Sequence, residues 1–477
     1  MRFIYQGEKP FVVLYGDIAS MGAYCDDLAV FGIGPELIVT DEPVKSDESW
    51  NSIPIKPFDA LAAYADNPNL MIVPINKWMS GMKQTLSEID SRLPDCIMRD
   101  IELLLRLSTQ SMVENLPSII GAPSDKTMFS LQLGFVLGGL ETWVTNLYHQ
   151  MKRADKPVVI FEPRQHSPYE YVGAEFFDVS FNDVLSIGPF DSFMPYVKRM
   201  IELLAQQPPR IYVDNGSYRL MAALYIAKTQ LNLPIKVVSV LHGDVSIVYN
   251  RMTLCESIID KFITVSDPIR DKLSVLLPNR VSDIDVQIQL PPAHPESLTN
   301  RTQSGKLRIA YAARLEATNK RSMWLIDIMD ELTARGVQFE LFIAGDGECF
   351  NPLKNHIEEK NLSGHVHMCG KLPREEMDAF WSNKHVFINF SISEGGPLTL
   401  FESMSHGLVP IVTNTGSASR LVFEGESGHI IHSPYEAVDA LCALAENITY
   451  REKLQHGAMK SYINLQTTMG DPIAAFI

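Results

Sequence analysis

Residues 391–411 read Ser391-Ile-Ser-Glu394-Gly-Gly-Pro-Leu-Thr-Leu-Phe-Glu402-Ser-Met-Ser-His406-Gly-Leu-Val-Pro410-Ile. The apolar run before them ends near Phe390 and reads as a strand, a glycine-bearing loop follows, and a helical pattern starts around Leu398. In that order the first N–H groups of the helix and its dipole face a cleft and suit a phosphate. Glu394 falls in the loop and Glu402 about one turn inside the helix. At roughly 1.5 Å rise per helical residue the two carboxylates lie about 10 Å apart along the axis. That is wider than the roughly 5–5.5 Å of a retaining glycosidase pair. It suits two acceptors gripping hydroxyls at opposite ends of one extended ligand. The competing reading makes Glu394 a helix cap and Glu402 solvated surface.

The same alternation of strand and helix runs through the flanking sequence. From residue 301 to 477, apolar runs at 307–312, 339–344, 385–390, 409–413 and 428–431 predict strands separated by helices. From 126 to 300, strands are expected at 128–135, 158–161, 210–213, 235–241 and 262–265, with a helix over 141–151. Apolar runs without alternation fit strands covered on both faces of a parallel sheet. Residues 291–304, PPAHPESLTNRTQS, are rich in proline and polar side chains and read as a linker. Two doubly wound α/β domains joined this way place their strand C-termini across a common cleft, where open α/β sheets bind ligands. Residues 1–125 read as a third, smaller Rossmann-like α/β unit. Strands are expected at 11–15, 36–40 and 70–75, with helices over 22–31, near 58–65 and before Pro117.

The 391–411 segment resembles the E-x7-E signature of GT4-type retaining glycosyltransferases, and the resemblance extends over about residues 127–460. It implies the GT-B architecture, two Rossmann-like domains facing a cleft, here preceded by the extra unit. It also implies that Glu394 contacts donor sugar hydroxyls and Glu402 the nucleotide ribose. The backbone of Gly395, Gly396, Pro397 and Leu398 would face the sugar. Pro397 stands where the family often has glycine, and it brings no N–H to that contact.

Arg314-Leu-Glu-Ala-Thr-Asn-Lys320-Arg321 follows the first strand of the last unit and is similar to the family's R-L-x(n)-K element. There the Arg and Lys hold the diphosphate, and two fixed cations would stabilise the charge of the departing leaving group as a metal does elsewhere. Arg321 is an alternative to Lys320, and an ordinary solvated pair is the competing reading. Gly345-Asp-Gly347 is similar to the family's G-x-G turn near the nucleotide, and Gly138-Gly139-Leu-Glu141 to its GG-x-E loop. Either could instead be a plain tight turn. His242 follows the strand ending at Leu241, where similar enzymes place a histidine against the transferred sugar, and a satisfied structural histidine is the competing reading. Ser266-Asp267-Pro268 is most simply a helix start.

Residues 1–125 lie outside the resemblance. Gly16-Asp-Ile-Ala-Ser-Met-Gly22 is an incomplete dinucleotide loop, since G-x-G-x-x-G would need glycine at Ile18 and Met21, and Asp41 ends the next strand. A docking, partner-binding or oligomerisation role is the expectation for this unit.

The chain has 41 Lys plus Arg against 57 Asp plus Glu, a formal charge of -16, which disfavours nonspecific binding to nucleic acid or to an anionic bilayer. Any phosphate must be held by a few placed cations. The cysteines Cys25, Cys96, Cys255, Cys349, Cys369 and Cys442 show neither a disulfide framework nor a zinc pattern. No apolar run approaches the roughly 18–20 residues of a spanning helix, so a cytoplasmic protein is expected, with peripheral contact at the inner membrane face allowed. The expected reaction is retaining, metal-independent transfer from a nucleotide sugar such as a UDP-sugar to a glycan, lipid-linked or protein hydroxyl, in surface polysaccharide or glycoconjugate synthesis. No cofactor is called for. The rival readings are a GT-B epimerase or phosphorylase and a noncatalytic glycan-binding scaffold.

Overall fold

The computed structural model describes residues 11–16, 34–40, 43–45, 48–64, 67, 70–75, 120–131, 134–136, 138–163, 171–188, 193–216, 218–244, 246–302 and 305–477. Three sheets organise them. The first contains β1 (Phe11–Gly16), β2 (Leu37–Thr40), β3 (Ser49–Trp50), β4 (Ile53–Pro57) and β5 (Leu70–Ile75), ordered β3-β4-β2-β1-β5. Its pairings are parallel except for the β3–β4 hairpin, whose two-residue turn, Asn51-Ser52, has left-handed φ of 47° and 69°. Such a turn matches the twist of the strands it joins. The segment expected as a helix near 58–65 is a 3-10 helix, Phe58–Tyr64. The helices expected over 22–31 and before Pro117, and the positions Ile18, Met21, Gly22 and Asp41, lie outside the described residues.

The middle sheet contains β6 (Thr127–Ser130), β7 (Val158–Pro163), β8 (Val184–Ile187), β9 (Ile211–Asp214), β10 (Lys236–Leu241), β11 (Lys261–Thr264) and β12 (Ile284–Val286). The third contains β13 (Leu307–Ala312), β14 (Phe339–Ala344), β15 (Val366–Gly370), β16 (Val386–Asn389), β17 (Val409–Val412) and β18 (His429–Ile430). Their orders are β12-β11-β10-β9-β6-β7-β8 and β15-β14-β13-β16-β17-β18, parallel throughout. In each, the first strand of the unit sits beside the fourth, the doubly wound order whose ligand crevice opens at that reversal. Strands β6, β9, β16 and β17 are buried at every position, as sheets covered on both faces require. β6 is shorter than the expected 128–135, ending at Ser130, and Gly134 further on adopts φ 85°.

The connection between these two units is pinned to the third. A short helix, Glu296–Asn300, interrupts the expected linker, and Arg301 donates to the carbonyls of His406 (2.6 Å) and Gly407 (3.1 Å). The His294 N–H donates to the Ser405 carbonyl at 2.7 Å, and Tyr462 and Gln466 both donate to the Pro291 carbonyl. The last long helix, Ile448–Thr468, packs on the third unit, but the residues after it return to the middle one. Phe476 is fully buried there beside Phe129 and Trp143, and the Thr127 hydroxyl donates to its carbonyl at 2.7 Å.

Candidate active site in the cleft

The loop after β13 and the loop after β16 leave adjacent strands, and Asn319 fastens one to the other. Its carbonyl accepts from the Ile392 N–H (2.8 Å), its amide oxygen from the Ser393 N–H (3.0 Å), and its amide N–H2 donates to the Ser393 carbonyl (3.0 Å). This double strap brings Lys320 against Glu394, Nζ to Oε1 at 2.5 Å, and the Ser391 hydroxyl donates to the same oxygen at 2.5 Å. Arg314 is exposed on the same loop, and Arg321, at φ 48°, lays its guanidinium over Trp324 at 4.8 Å. Lys320 is thus the member of the Lys320–Arg321 pair that meets the acid.

Glu394 opens into a cavity of about 260 Å³ between the middle and third units. Gly395, Gly396 and Leu398 line it from the third unit, and Gly139, Trp143 and His242 from the middle one. The two walls touch. A Cβ on Gly395 would sit 1.8 Å from the His242 carbonyl oxygen, and one on Gly396 3.2 Å from that of Val265. Glycine at 395 is therefore a condition of the domains meeting at this distance. The helix Leu398–Ser405 starts at the cavity, with Pro397 as its N-cap and Leu398 4.0 Å from where a Gly139 Cβ would lie. An Asp267–Arg420 ion pair links the same two units further along, and Asp267 opens the Asp267–Leu276 helix with Ser266 as N-cap.

His242 is fixed as a neutral imidazole. Its Nε2 meets the Asn215 amide oxygen at 2.8 Å, while the Asn215 amide N–H2 donates to the Ser130 carbonyl. That network puts the proton on Nε2 and leaves Nδ1 as an acceptor. Burial, aided by the charge of Arg251, pushes its pKa down to about 3, and Trp143 stands edge-on to the ring at 4.9 Å. Asp244, two residues on, is held by the Tyr249 hydroxyl and Lys272, which ties down this strand end.

Gly138 is the N-cap of the helix Gly139–Arg153, and a Cβ there would sit 2.5 Å from the Glu141 carboxylate, which curls back over the helix start. Glu141 is 4% exposed, and burial raises its pKa to about 7 against the opposing pull of its own backbone N–H and of Arg314 across the cleft. Glu402 is absent from the linings of both cavities and sits among Arg374, Asp378 and Trp381 on the Arg374–Ser382 helix. Burial lifts its pKa to about 7, and Arg374 is the main opposing charge. Arg374 and Asp378 line a second, larger cavity of about 410 Å³, bounded on its other side by Asn146, His149 and Arg153. Gly345 (φ 132°) and Gly347 (φ 149°) press on the backbone of the Arg314 loop, where a Cβ would lie 1.9 Å from the Ala313 oxygen and 2.5 Å from that of Leu315. They support the loop that carries Arg314 and are absent from the linings of both cavities.

One cavity thus gathers Glu394, Gly395, Gly396, Leu398, Gly139 and His242, with Lys320 on Glu394. Trp143, Asn319, Ser391 and Gln289 join the site without having been singled out in the sequence. Asn319 carried a signal in its place within the cationic loop and Ser391 in its place at the head of the 391–411 segment, whereas Trp143 and Gln289 carried none.

The paired Rossmann sheets facing this cleft are the GT-B fold. Residues 298–460 match the family model described as Glycosyl transferases group 1. EpsF of Bacillus subtilis (strain 168), whose name places it among glycosyltransferases, is 24% identical over 325 residues, covering 61% of this chain and 80% of EpsF. Among solved structures, the pneumococcal O-GlcNAc transferase GtfA, in complex with UDP and GlcNAc, superimposes with a TM-score of 0.58 at 12% identity. It covers 71% of this chain and 95% of GtfA. HepE of Anabaena, in complex with UDP and glucose, does so with a TM-score of 0.56 at 15% identity, over 72% of this chain and 95% of HepE. Among the described residues no helix is long and apolar enough to cross a membrane.

Proposed function

We propose that this chain is a retaining glycosyltransferase that moves a sugar from a nucleoside diphosphate sugar to a hydroxyl acceptor without a metal ion. The observation that carries the reading is the Lys320–Glu394 pair at the wall of a sugar-sized cavity, where the chain reversals of two Rossmann sheets meet. On donor binding the two side chains exchange partners: Lys320 turns to the diphosphate together with Arg314, and Glu394 accepts from sugar hydroxyls. The bond between the anomeric carbon and the diphosphate oxygen breaks, and the acceptor oxygen bonds to that carbon on the same face. The acceptor proton passes to the departing phosphate oxygen, so no protein base is needed. Lys320 and Arg314 stabilise the charge that builds on the leaving group. His242 offers Nδ1 to the sugar, Glu402 takes the ribose hydroxyls, and the N-terminus of the Leu398–Ser405 helix faces the phosphates. The contact of Gly395 with His242 describes the closed state, from which water is expelled and transfer favoured over hydrolysis.

UDP is the expected nucleotide, supported by the UDP complexes of GtfA and HepE. A cytoplasmic role in polysaccharide or glycoconjugate synthesis, with residues 1–125 as a docking or assembly unit, completes the reading. Thermal melts with a panel of nucleoside diphosphates and sugar nucleotides test it, since a ligand bound only by the native state raises the melting temperature. Failure of every nucleotide to stabilise the chain sinks the proposal. NMR of the product then reports whether the anomeric configuration is kept, and release of sugar by phosphate alone would indicate a phosphorylase instead.

A further inference from the structure

Gln289 stands where the chain passes from the middle unit to the third, and it lines both the 260 Å³ and the 410 Å³ cavities. It is 3% exposed, yet neither its amide oxygen nor its amide nitrogen has a hydrogen-bond partner among the described residues. Buried polar groups are normally satisfied, so an orphaned carboxamide on a residue that lines two cavities marks a place where something else supplies the partner. The amide is not left over from a loose segment. Two residues before it, the Gln287 N–H donates to the Thr264 carbonyl at 2.8 Å and its side chain donates to the Pro472 carbonyl. Two residues after it, the Pro291 carbonyl accepts from both Tyr462 and Gln466. The backbone on either side is fastened, so a fixed stretch of chain holds Gln289 between the two cavities.

We propose that the Gln289 carboxamide is a specificity-determining contact to the transferred sugar. A carboxamide with both halves free offers one acceptor and two donors at one spot, which matches a sugar hydroxyl or an acetamido group that itself donates and accepts. The smaller cavity falls below the roughly 300–1,000 Å³ of drug-sized sites and suits one sugar ring. Its polar lining is Glu394, His242 and Gln289, with Trp143 as an aromatic wall. Gln289 completes a set of recognition groups around the ring that neither the E-x7-E glutamates nor the cationic loop supplies. This inference rests on the proposed donor site.

The test uses the full chain and needs no acceptor. Calorimetry with UDP and GDP, and with UDP-glucose, UDP-galactose, UDP-N-acetylglucosamine and GDP-mannose, gives for each base the ratio of sugar nucleotide affinity to that of the nucleoside diphosphate. In Gln289→Leu this ratio falls about tenfold or more for the preferred donor while affinity for the nucleoside diphosphate stays at the wild-type value. Gln289→Asn, which keeps the amide on a shorter stem, falls between. The melting temperature of ligand-free Gln289→Leu equals or exceeds that of the wild type, because replacing an orphaned amide with an apolar group of similar size removes no bond. An unchanged ratio in Gln289→Leu, with the nucleoside diphosphate still bound, overturns the role of Gln289 and leaves the donor site standing. A loss of several degrees in the ligand-free melt also overturns it, by revealing a structural partner. A wild-type chain that binds none of the nucleotides overturns the donor site and this inference together.

Discussion

Lys320 and Glu394 face each other at 2.5 Å from loops that leave neighbouring strands, with side chains 20% and 14% exposed. Each neutralises the other within a largely water-excluded wall, so removing either strands its partner. Glu394→Gln and Lys320→Ala should each lower kcat/KM for sugar transfer by about 10²–10³-fold, the usual cost of deleting one charge-stabilising group from such a site. Lys320→Arg should retain more activity than Lys320→Ala. A coupled assay of nucleoside diphosphate release checks this, and a wild-type rate in either deletion removes the pair from the mechanism.

Glu141 and Glu402 both carry pKa values raised to about 7 by burial. An acid raised in the folded state binds more protons there than when unfolded, so the stability each contributes is fully present below about pH 4.5 and is lost as the pH climbs through about 7. For Glu141 the shift corresponds to an upper bound of about 3 kcal/mol. Glu141→Gln should therefore melt higher than wild type at pH 8 and alike at pH 4.5. Equal differences at both pH values would refute the burial argument.

The proposed grip of Glu402 on the ribose requires the carboxylate form. Nucleoside diphosphate affinity should rise as the pH increases through about 7, and Glu402→Gln should bind more weakly and flatten that profile. Titration calorimetry between pH 6 and 8 measures both.

Gly395→Ala places a methyl group where the His242 carbonyl oxygen lies, 1.8 Å from the new Cβ. Backbone on both sides leaves no flexible side chain to yield, so the two units must separate. The variant should keep its melting temperature within a few degrees, show a larger radius of gyration in X-ray scattering, and lose transfer by more than about tenfold. An unchanged radius with full activity would show that the cleft closes by another route.

Phe476→Ala empties a fully buried site between Phe129 and Trp143 and should cost about 3–5 kcal/mol. Chemical denaturation followed by tryptophan fluorescence at Trp143 reads the loss directly.

The elements that carry the candidate site were legible wherever the pattern is local. Glu394 and Glu402 are placed by the fixed lengths of one strand, one loop and one helix, and Arg314 and Lys320 by the exit of one strand. The doubly wound order follows from apolar runs that fully covered parallel strands demand. Short edge strands such as β8, β12 and β15 escaped because their few residues share no single pattern. The hairpin at Asn51-Ser52 lacks the glycine that usually marks such a turn. Gln289 was invisible for another reason: its importance lies in what surrounds it, and burial between two units leaves no trace in the residues beside it. Gly345 and Gly347 allow two readings in sequence, a turn near the nucleotide or a plain tight turn, and in the structure their backbone presses on the Arg314 loop.

The return of Ile473 and Phe476 to the sheet that begins at Thr127 has a consequence for synthesis. A ribosome delivers the strands of the middle unit hundreds of residues before the side chains that seal them. The nascent unit must wait with an open apolar face until residues 473–476 emerge. Shielding of that face by chaperones during the interval would protect the yield of this protein.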